Sequence, residues 1–303
     1  MSEPLAHVPH GALWQSILER TRTALACGAL QPIETEEALV DDAAVQFTVR
    51  SLSSLERKTE AAAATAPNDR AAASPFLPPD PALTLGALSS THTGVLNKHP
   101  VVAHHLLIVT RQFVPQELLL DAADFAVLAR CLGEIDALGF YNGGQGAGAS
   151  QSHKHLQLVP LPLGGGAWDV PIEALLDAWS VRGAVLRLLR LPFEHAFALL
   201  EPGLFDDPAR AAERMQELYA AQTAAIGVVR DTAANDPARQ SSPYNLLVTR
   251  RWMLAVPRSQ ERFGSISVNA LGFAGSLFVR DRAAMHALRA AGPMNVLRAV
   301  AAQ

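Results

Sequence analysis

Residues 101–110 (VVAHHLLIVT) constrain this chain more than any other segment. They form an almost continuous apolar run of strand length, the pattern of a strand covered on both faces and therefore central in a sheet. A sheet covered on both sides needs a long chain rich in apolar residues. At 303 residues, 49% hydrophobic and 18% charged, this chain meets that need, and disorder is excluded as its overall state. At about 100–200 residues per domain, the length fits one large domain or two intimately packed parts. No period of about 20–50 residues recurs, which argues against a repeat array.

Further elements flank the run. Leu13, Trp14, Ile17, Leu18 and Leu25 recur at helical spacing, with Gly28 placed to end the helix. Residues 43–50 (AAVQFTVR) predict a strand, and the Ala-rich residues 59–74, broken by Pro67, Asn68 and Asp69, predict a mobile loop. Asp121 sits where an N-cap would, ahead of a stripe of Phe125, Leu128, Ala129, Leu132 and Ile135 that ends near Gly139. A Gly-rich loop, residues 142–152 (NGGQGAGASQS), leads into a second strand at residues 153–160 (HKHLQLVP).

The run of three glycines from Gly164 is the expected boundary between an N-terminal catalytic part, residues 1–165, and a C-terminal part, residues 166–303. Beyond it the pattern predicts a helix near residues 172–179, a strand over 184–191 and a long helix over about 208–229 with Pro in its first turn. Residues 244–249 and 252–257 read as a hairpin, and 265–271 and 276–280 as two more strands. The sum is an α+β protein dominated by antiparallel pairing.

Charge narrows the partners. Lys and Arg number 25 against 29 Asp and Glu, a net charge of -4, whereas a nucleic-acid binder gains from a basic balance that neutralises phosphates. Cys27 and Cys131 are too few for a disulfide framework or a Cys-based zinc site and fit a reducing compartment. The first fifteen residues (MSEPLAHVPHGALWQ) lack a basic stretch followed by an apolar one, and no uninterrupted apolar run reaches about 18 residues. A soluble, cytoplasmic protein with no membrane or polymeric nucleic-acid partner is expected.

Side chains alternate along a strand, so His153, His155 and Gln157 share one face while Lys154, Leu156 and Leu158 share the other. A neutral imidazole nitrogen is a nucleophile that can attack phosphorus and form a phosphoramidate. The preceding loop supplies what such an attack needs, because its glycines let backbone N–H groups converge on phosphate oxygens and Ser150 and Gln151 add side-chain donors. Taken alone, two histidines at this spacing are as often core residues or half of a metal site. No third ligand at metal spacing follows them, and a zinc site would have to recruit His99, His104 or His105. The loop fits neither the dinucleotide nor the Walker pattern. Loop, motif and strand in direct succession are more specific than any one of them.

The chain resembles the diadenosine tetraphosphate (Ap4A) phosphorylases, or ATP adenylyltransferases, of the histidine-triad superfamily, relatives of galactose-1-phosphate uridylyltransferase. The resemblance covers most of the sequence and rests on residues 75–80 (PFLPPD), on 96–99 (LNKH) with 101–110, on 143–160, on 191–195 (LPFEH), on 244–258 and on 267–280. It implies a histidine-triad-like fold and a nucleotidyltransferase that phosphorolyses Ap4A to ATP and ADP through an adenylyl-histidine.

Within that resemblance, His155 is the nucleophile, His153 its companion and Gln157 the group that holds the α-phosphate. Gly148, Ala149, Ser150 and Gln151 line the polyphosphate path. Asn97, Lys98 and Asn142 match substrate contacts, Lys58 matches a basic position, and Asn269, Ala270, Leu271 and Arg280 match a C-terminal strand that reaches the nucleotide. The family favours Lys where Arg280 stands, and a planar fork replaces a point charge there. The implied partners are small nucleotides and phosphate. No covalently bound cofactor or protein-held metal is implied, and Mg²⁺ is expected only as a companion of the nucleotide.

Gln157 bears on reaction type independently. An amide donates or accepts a hydrogen bond but relays no proton, so transfer to an already anionic acceptor such as phosphate is favoured over hydrolysis. Two rival readings remain at this level: a superfamily transferase acting on adenylyl sulfate or a nucleotide sugar, and a silent nucleotide-binding module. His104 and His105, on opposite faces of the buried run, read as structural, one of them bracing the active-site strand. His195 reads as a turn and packing residue, Trp252 and Met253 as core, and Arg250 and Arg251 as a solvated face.

Overall fold

The run at residues 101–110 does yield an interior strand, but only from its second half. The computed structural model describes residues 6–52, 74–176, 182–234, 236 and 238–303. In chain order its elements are α1 (Leu13–Ala26), β1 (Thr35–Asp42), β2 (Val45–Leu52), β3 (Thr84–Ala87), β4 (His92–Leu96), β5 (Leu106–Thr110), α2 (Ala122–Glu134), β6 (Ala137–Gly143) and β7 (His155–Pro160). There follow β8 (Val185–Leu186), β9 (Ala196–Leu199), α3 (Pro208–Ala225), β10 (Tyr244–Val248), β11 (Trp252–Pro257), β12 (Arg262–Phe263), β13 (Ile266–Ser267), α4 (Ala270–Phe273), β14 (Ser276–Val279), α5 (Arg282–Ala291) and α6 (Pro293–Val300).

Nine strands form one sheet in the order β3-β4-β5-β7-β6-β10-β11-β9-β8, antiparallel at every pairing. A second sheet, β1-β2-β14, combines an antiparallel hairpin with one parallel pair. The large sheet has a core on each face. One gathers Leu156 and Leu158 of β7 with α1, α2 and α3, and the other gathers Leu138 and Phe140 of β6 with β2, β14 and α4 to α6. The fold is therefore α+β, and β10, β11, β9 and β8 extend the sheet begun by the N-terminal strands.

Local chemistry accounts for several elements. The Asp121 carboxylate accepts from the amides of Ala123 and Asp124, and Asp124 returns a bond to the Asp121 amide, a capping box that starts α2 where expected. Phe125, Leu128 and Leu132 on its inner stripe are fully buried, worth about 1.5–3 kcal/mol each as an upper bound. At α3 the Asp207 carboxylate accepts from the amides of Ala209 and Arg210, and Pro208 takes the first helical position.

Other expectations need correction. Residues 101–105 turn instead of extending, and His104 has φ +59°, so His104 and His105 do not alternate across a strand. The His104 ring bonds Thr21 on α1 and meets Trp14 edge-on, which fixes the turn. α2 stops at Glu134, and the continuing apolar residues form β6, since periodicity alone does not separate a buried strand from a buried helix. Strand β1, acidic and on a sheet edge, lacks the apolar alternation that marks strands, and it pairs with β2 through a turn at Ala43 and Ala44, both at positive φ.

On α1 the buried stripe runs through Leu13, Ile17, Thr21 and Ala24, leaving Leu25 exposed. Residues 171–175 form a 3₁₀ turn, and only Val185–Leu186 of the expected strand over 184–191 pairs. The expected strand over 265–271 ends at Ser267, because the Asn269 side chain caps α4. The expected loop at 59–74 lies outside the described residues apart from Ser74, as does Lys58. Among the described residues no helix is long and apolar enough to cross a membrane.

Candidate active site

Strand β7 is flanked by β5 and β6, which puts His155 opposite Val109 and Gln157 between Leu107 and Phe140. The ladder between β6 and β7 stops at the pair Phe140 and Gln157, and there the side chain of Gln116 takes its place. Its Nε2 donates to the carbonyls of Asn142 at 2.9 Å and His155 at 3.3 Å, while its Oε1 accepts from the His155 amide at 2.8 Å. The backbone of the nucleophile candidate is thus held on both polar atoms by one buried amide.

Both histidines have defined tautomers. His155 Nδ1 donates to the carbonyl of His153 at 2.8 Å, which leaves the Nε2 lone pair without a protein partner among the described residues. His153 Nε2 donates to the carbonyls of Thr110 and Gln112 at 2.9 and 3.0 Å, and its Nδ1 accepts from Ser74 Oγ at 2.7 Å. His153 has no free nitrogen. Burial pushes the His155 imidazole down to about 4, only partly opposed by the His153 carbonyl, so the ring is neutral near pH 7.

Gln157 lines two cavities, one of them shared with His155, and His153 lines a third. One, of about 260 Å³, is walled by Asn97, Asn142, Asn269 and Leu271 together with Val101, Arg50 and Ser276. A second, of about 570 Å³, holds His155, Lys98 and Gln151. The third, of about 840 Å³, lies beyond Gly148 and Ala149. Ser150 lines all three, so the Gly-rich loop stands at their junction.

The loop earns its glycine at position 148. Gly148 has φ +88°, and a Cβ there would come within 2.8 Å of the Val268 carbonyl and the Asn269 side chain. After it, the amides of Ser150, Gln151 and Ser152 and the side chains of Ser150 and Gln151 make no hydrogen bond to protein among the described residues. Donors gathered this way suit an anion.

The expected residues are not equal in role. Asn142 lines a cavity, yet its Oδ1 already accepts from Asn245 Nδ2 at 2.8 Å and from the Ala270 amide at 2.9 Å. Ala270 thereby joins the site through its backbone. Lys98 is exposed and carries no ion pair among the described residues. Arg280 is exposed at the end of β14, outside the walls of all three cavities. Arg250 bonds the carbonyls of Leu132 and Gly133, and Arg251 pairs with buried Glu173, so neither is a free solvated charge. His195 bridges Phe193 and Leu188, and Trp252 and Met253 are core, all as expected.

Several residues at the site had escaped the sequence reading. Asn245, opposite Asn142 in the β6–β10 register, takes a bond from Arg258 Nη1 at 2.6 Å, and Arg258 lies 5.2 Å from the centre of the Phe273 ring. A lone Asn in the apolar strand Tyr244–Val248 was the available signal. Arg50, buried and paired with Glu37, donates to Ser276 Oγ at 2.8 Å at the far end of the smallest cavity. Gln116 had no local signal.

Two family models match the chain: Ap4A phosphorylase N-terminal domain over residues 3–178 and ATP adenylyltransferase C-terminal domain over residues 189–303. The chain belongs to the Ap4A phosphorylase family. Among relatives in Saccharomyces cerevisiae, diadenosine 5',5'''-P1,P4-tetraphosphate phosphorylase 2 is 29% identical over 238 residues, covering 71% of each chain. Protein APA1 is 25% identical over 285 residues, covering 88% of this chain and 86% of its own. The crystal structure of the yeast Ap4A phosphorylase Apa2 superposes with a TM-score of 0.76 at 23% identity, covering 95% of this chain and 96% of that one. Its complexes with AMP and with Ap4A superpose at 0.75 and 0.71, so the family shares this fold across its full length.

Among the described residues, no group of three or more His, Cys, Asp or Glu side chains is placed to hold a metal ion. The loop offers backbone N–H groups, the Ser150 hydroxyl and the Gln151 amide, donors that suit phosphate oxygens.

Proposed function

We propose that this member of the family phosphorolyses Ap4A to ATP and ADP by two displacements at His155. The observation that carries the reading is the His155 tautomer: with Nδ1–H tied to the His153 carbonyl, Nε2 presents a bare lone pair beside unpaired loop amides. The yeast relative named for Ap4A phosphorylase activity and the AMP and Ap4A complexes of Apa2 support the substrate class.

In the first displacement Nε2 attacks the α-phosphorus, the N–P bond forms and the bond from phosphorus to the bridging oxygen breaks, releasing ATP. The ring keeps its Nδ1 proton throughout, and the positive charge it gains faces the His153 carbonyl. In the second, an oxygen of inorganic phosphate attacks the same phosphorus, the N–P bond breaks and ADP leaves. Neither step requires Gln157 to move a proton. Its amide orients a phosphate oxygen, Ser150, Gln151 and their amides hold the chain, and Asn97, Lys98 and the Asn269–Leu271 backbone complete the nucleotide site. Any Mg²⁺ arrives with the polyphosphate. Two free thiols, Cys27 and Cys131, support a reducing, cytoplasmic setting.

Mixing the protein with Ap4A in the absence of phosphate, followed by intact-mass analysis and phosphorus NMR, should reveal AMP on His155. Adding phosphate should discharge it as ADP. An adduct on His153, or cleavage to AMP and ATP as fast without phosphate as with it, overturns the reading.

A further inference from the structure

The side chain of Asn142 ends a chain of hydrogen bonds that begins at a group with no choice of role. A guanidinium only donates, whereas an amide can present either end. Arg258 is 3% exposed and has no carboxylate within ion-pair distance among the described residues, Glu261 pairing with Arg262 instead. Its N–H groups all meet uncharged oxygens. Nε donates to the Val300 carbonyl at 3.1 Å, and Nη2 to those of Gln260 and Glu261 at 2.8 and 3.2 Å. Nη1 donates to the Ala147 carbonyl at 3.3 Å and to Asn245 Oδ1 at 2.6 Å. With Oδ1 forced to accept, Asn245 must donate from Nδ2, and it does so to Asn142 Oδ1 at 2.8 Å and to the Ala147 carbonyl at 2.9 Å. Asn142 Oδ1 is thereby an acceptor, a role that the Ala270 amide reinforces at 2.9 Å.

Only Asn142 Nδ2 is left over. It has no protein partner among the described residues, and Asn142 lines the cavity of about 260 Å³ together with Gln157 and Ser150. Neither Asn245 nor Arg258 lines that cavity, so both reach a ligand there only through Asn142. A buried guanidinium without a carboxylate is unfavourable unless its donors are used. Here they fix an amide on β10, the Gly-rich loop at Ala147 and the end of α6 at Val300 in one arrangement.

We propose that Arg258 and Asn245 are positioning residues for nucleotide binding, fixing Asn142 so that its NH₂ group donates to an acceptor atom of the nucleotide. The C-terminal part thus sets the polarity of a side chain on an N-terminal strand. The assignment rests on the phosphorolysis reading and deepens it, because it says which end of Asn142 the substrate meets and what decides it.

Asn245→Asp keeps the volume and the acceptor for Arg258 but removes the donor. Asn142 then faces a carboxylate, turns its NH₂ group towards it and presents an oxygen to the cavity. By calorimetry, Kd for AMP should rise about tenfold, the size of one lost hydrogen bond. Asn142→Ala should raise it to a similar degree, and the double variant should bind AMP no more weakly than Asn142→Ala alone, since Asn245 acts through Asn142. Effects that multiply in the double variant, or unchanged AMP affinity in Asn245→Asp, overturn the assignment. Thermal unfolding checks that each variant is folded. Should Asn245→Asp fail that check, Arg258 carries the test: Arg258→Gln, whose amide can present either end, should weaken AMP binding severalfold, and Arg258→Lys, which still only donates, should restore it. Equal affinities in those two variants overturn the assignment. Absence of an adenylyl adduct from Ap4A in the wild-type protein overturns the phosphorolysis reading instead, and AMP affinity, which needs no turnover, still decides the positioning role.

Discussion

The Nε2 hydrogen of His105 donates to Oε1 of Gln157 across 2.9 Å, and this contact decides which end of the Gln157 amide faces the substrate. On its other side His105 Nδ1 accepts from Asn97 Nδ2 at 3.1 Å, so the tautomer is defined from both ends. With the carbonyl oxygen taken, the NH₂ group of Gln157 is left to donate into the cavity, as an amide serving a phosphate oxygen must. Replacing His105 with Phe removes the donor and frees the amide to rotate. A fall in kcat of about 10- to 100-fold, with a smaller change in KM, is expected from steady-state kinetics, a loss of the size seen when an orienting partner is removed. Unchanged kcat would reduce His105 to a packing residue.

Acid should act on stability through His105 and His155. Burial pushes both His105 and His155 from the ordinary value near 6.5 down to about 4. Above pH 6.5 both are neutral folded and unfolded, and their contribution is fully present. As pH falls from about 6.5 towards 4, the unfolded chain takes up protons that the folded one refuses, so stability declines across that window. Urea midpoints measured at steps between pH 7 and pH 4 should drop, and a His105→Asn variant should show a shallower drop.

The same neutral ring governs catalysis. His155 needs no deprotonation at any pH above about 5, so phosphorolysis should show no acidic limb assignable to the nucleophile between pH 5.5 and 8. His155→Ala should abolish both adduct and turnover, a loss of several orders of magnitude, with Ap4A binding by calorimetry weakened little.

Gln116 offers a structural test. Gln116→Leu keeps the volume but strands the His155 amide and the Asn142 carbonyl that the side chain now satisfies. Each orphaned buried group costs about 1–3 kcal/mol, so denaturant unfolding should show a loss of a few kcal/mol. Full stability in this variant would mean that water replaces the amide.

Lys98 is the exposed cation of the nucleophile's cavity. Lys98→Ala should raise KM for Ap4A several-fold with less effect on kcat, and added Mg²⁺ should restore part of the loss by screening the same phosphates. Wild-type kinetics at low ionic strength would make Lys98 a solvated surface charge.

What the sequence alone determined lies where the information is local. The period of two in His153, His155 and Gln157 places the three on one face whatever lies opposite. The carboxylate of Asp121 starts α2 because its partners are two and three residues away. The glycines before Ser150 announce a backbone that approaches something closely. Tertiary structure decided which of these side chains are free to act. His105 meets Gln157 across 52 positions, Gln116 meets the backbone of His155 across 39, and Asn245 meets Asn142 across 103. Such partners follow from strand register and from which loop fills the gap where a ladder ends, and neither is written in any window of the chain. The break at residues 101–105 has the same cause: the apolar pattern there is that of a strand, but bonding of His104 to Thr21 on α1 turns the chain before β5 begins.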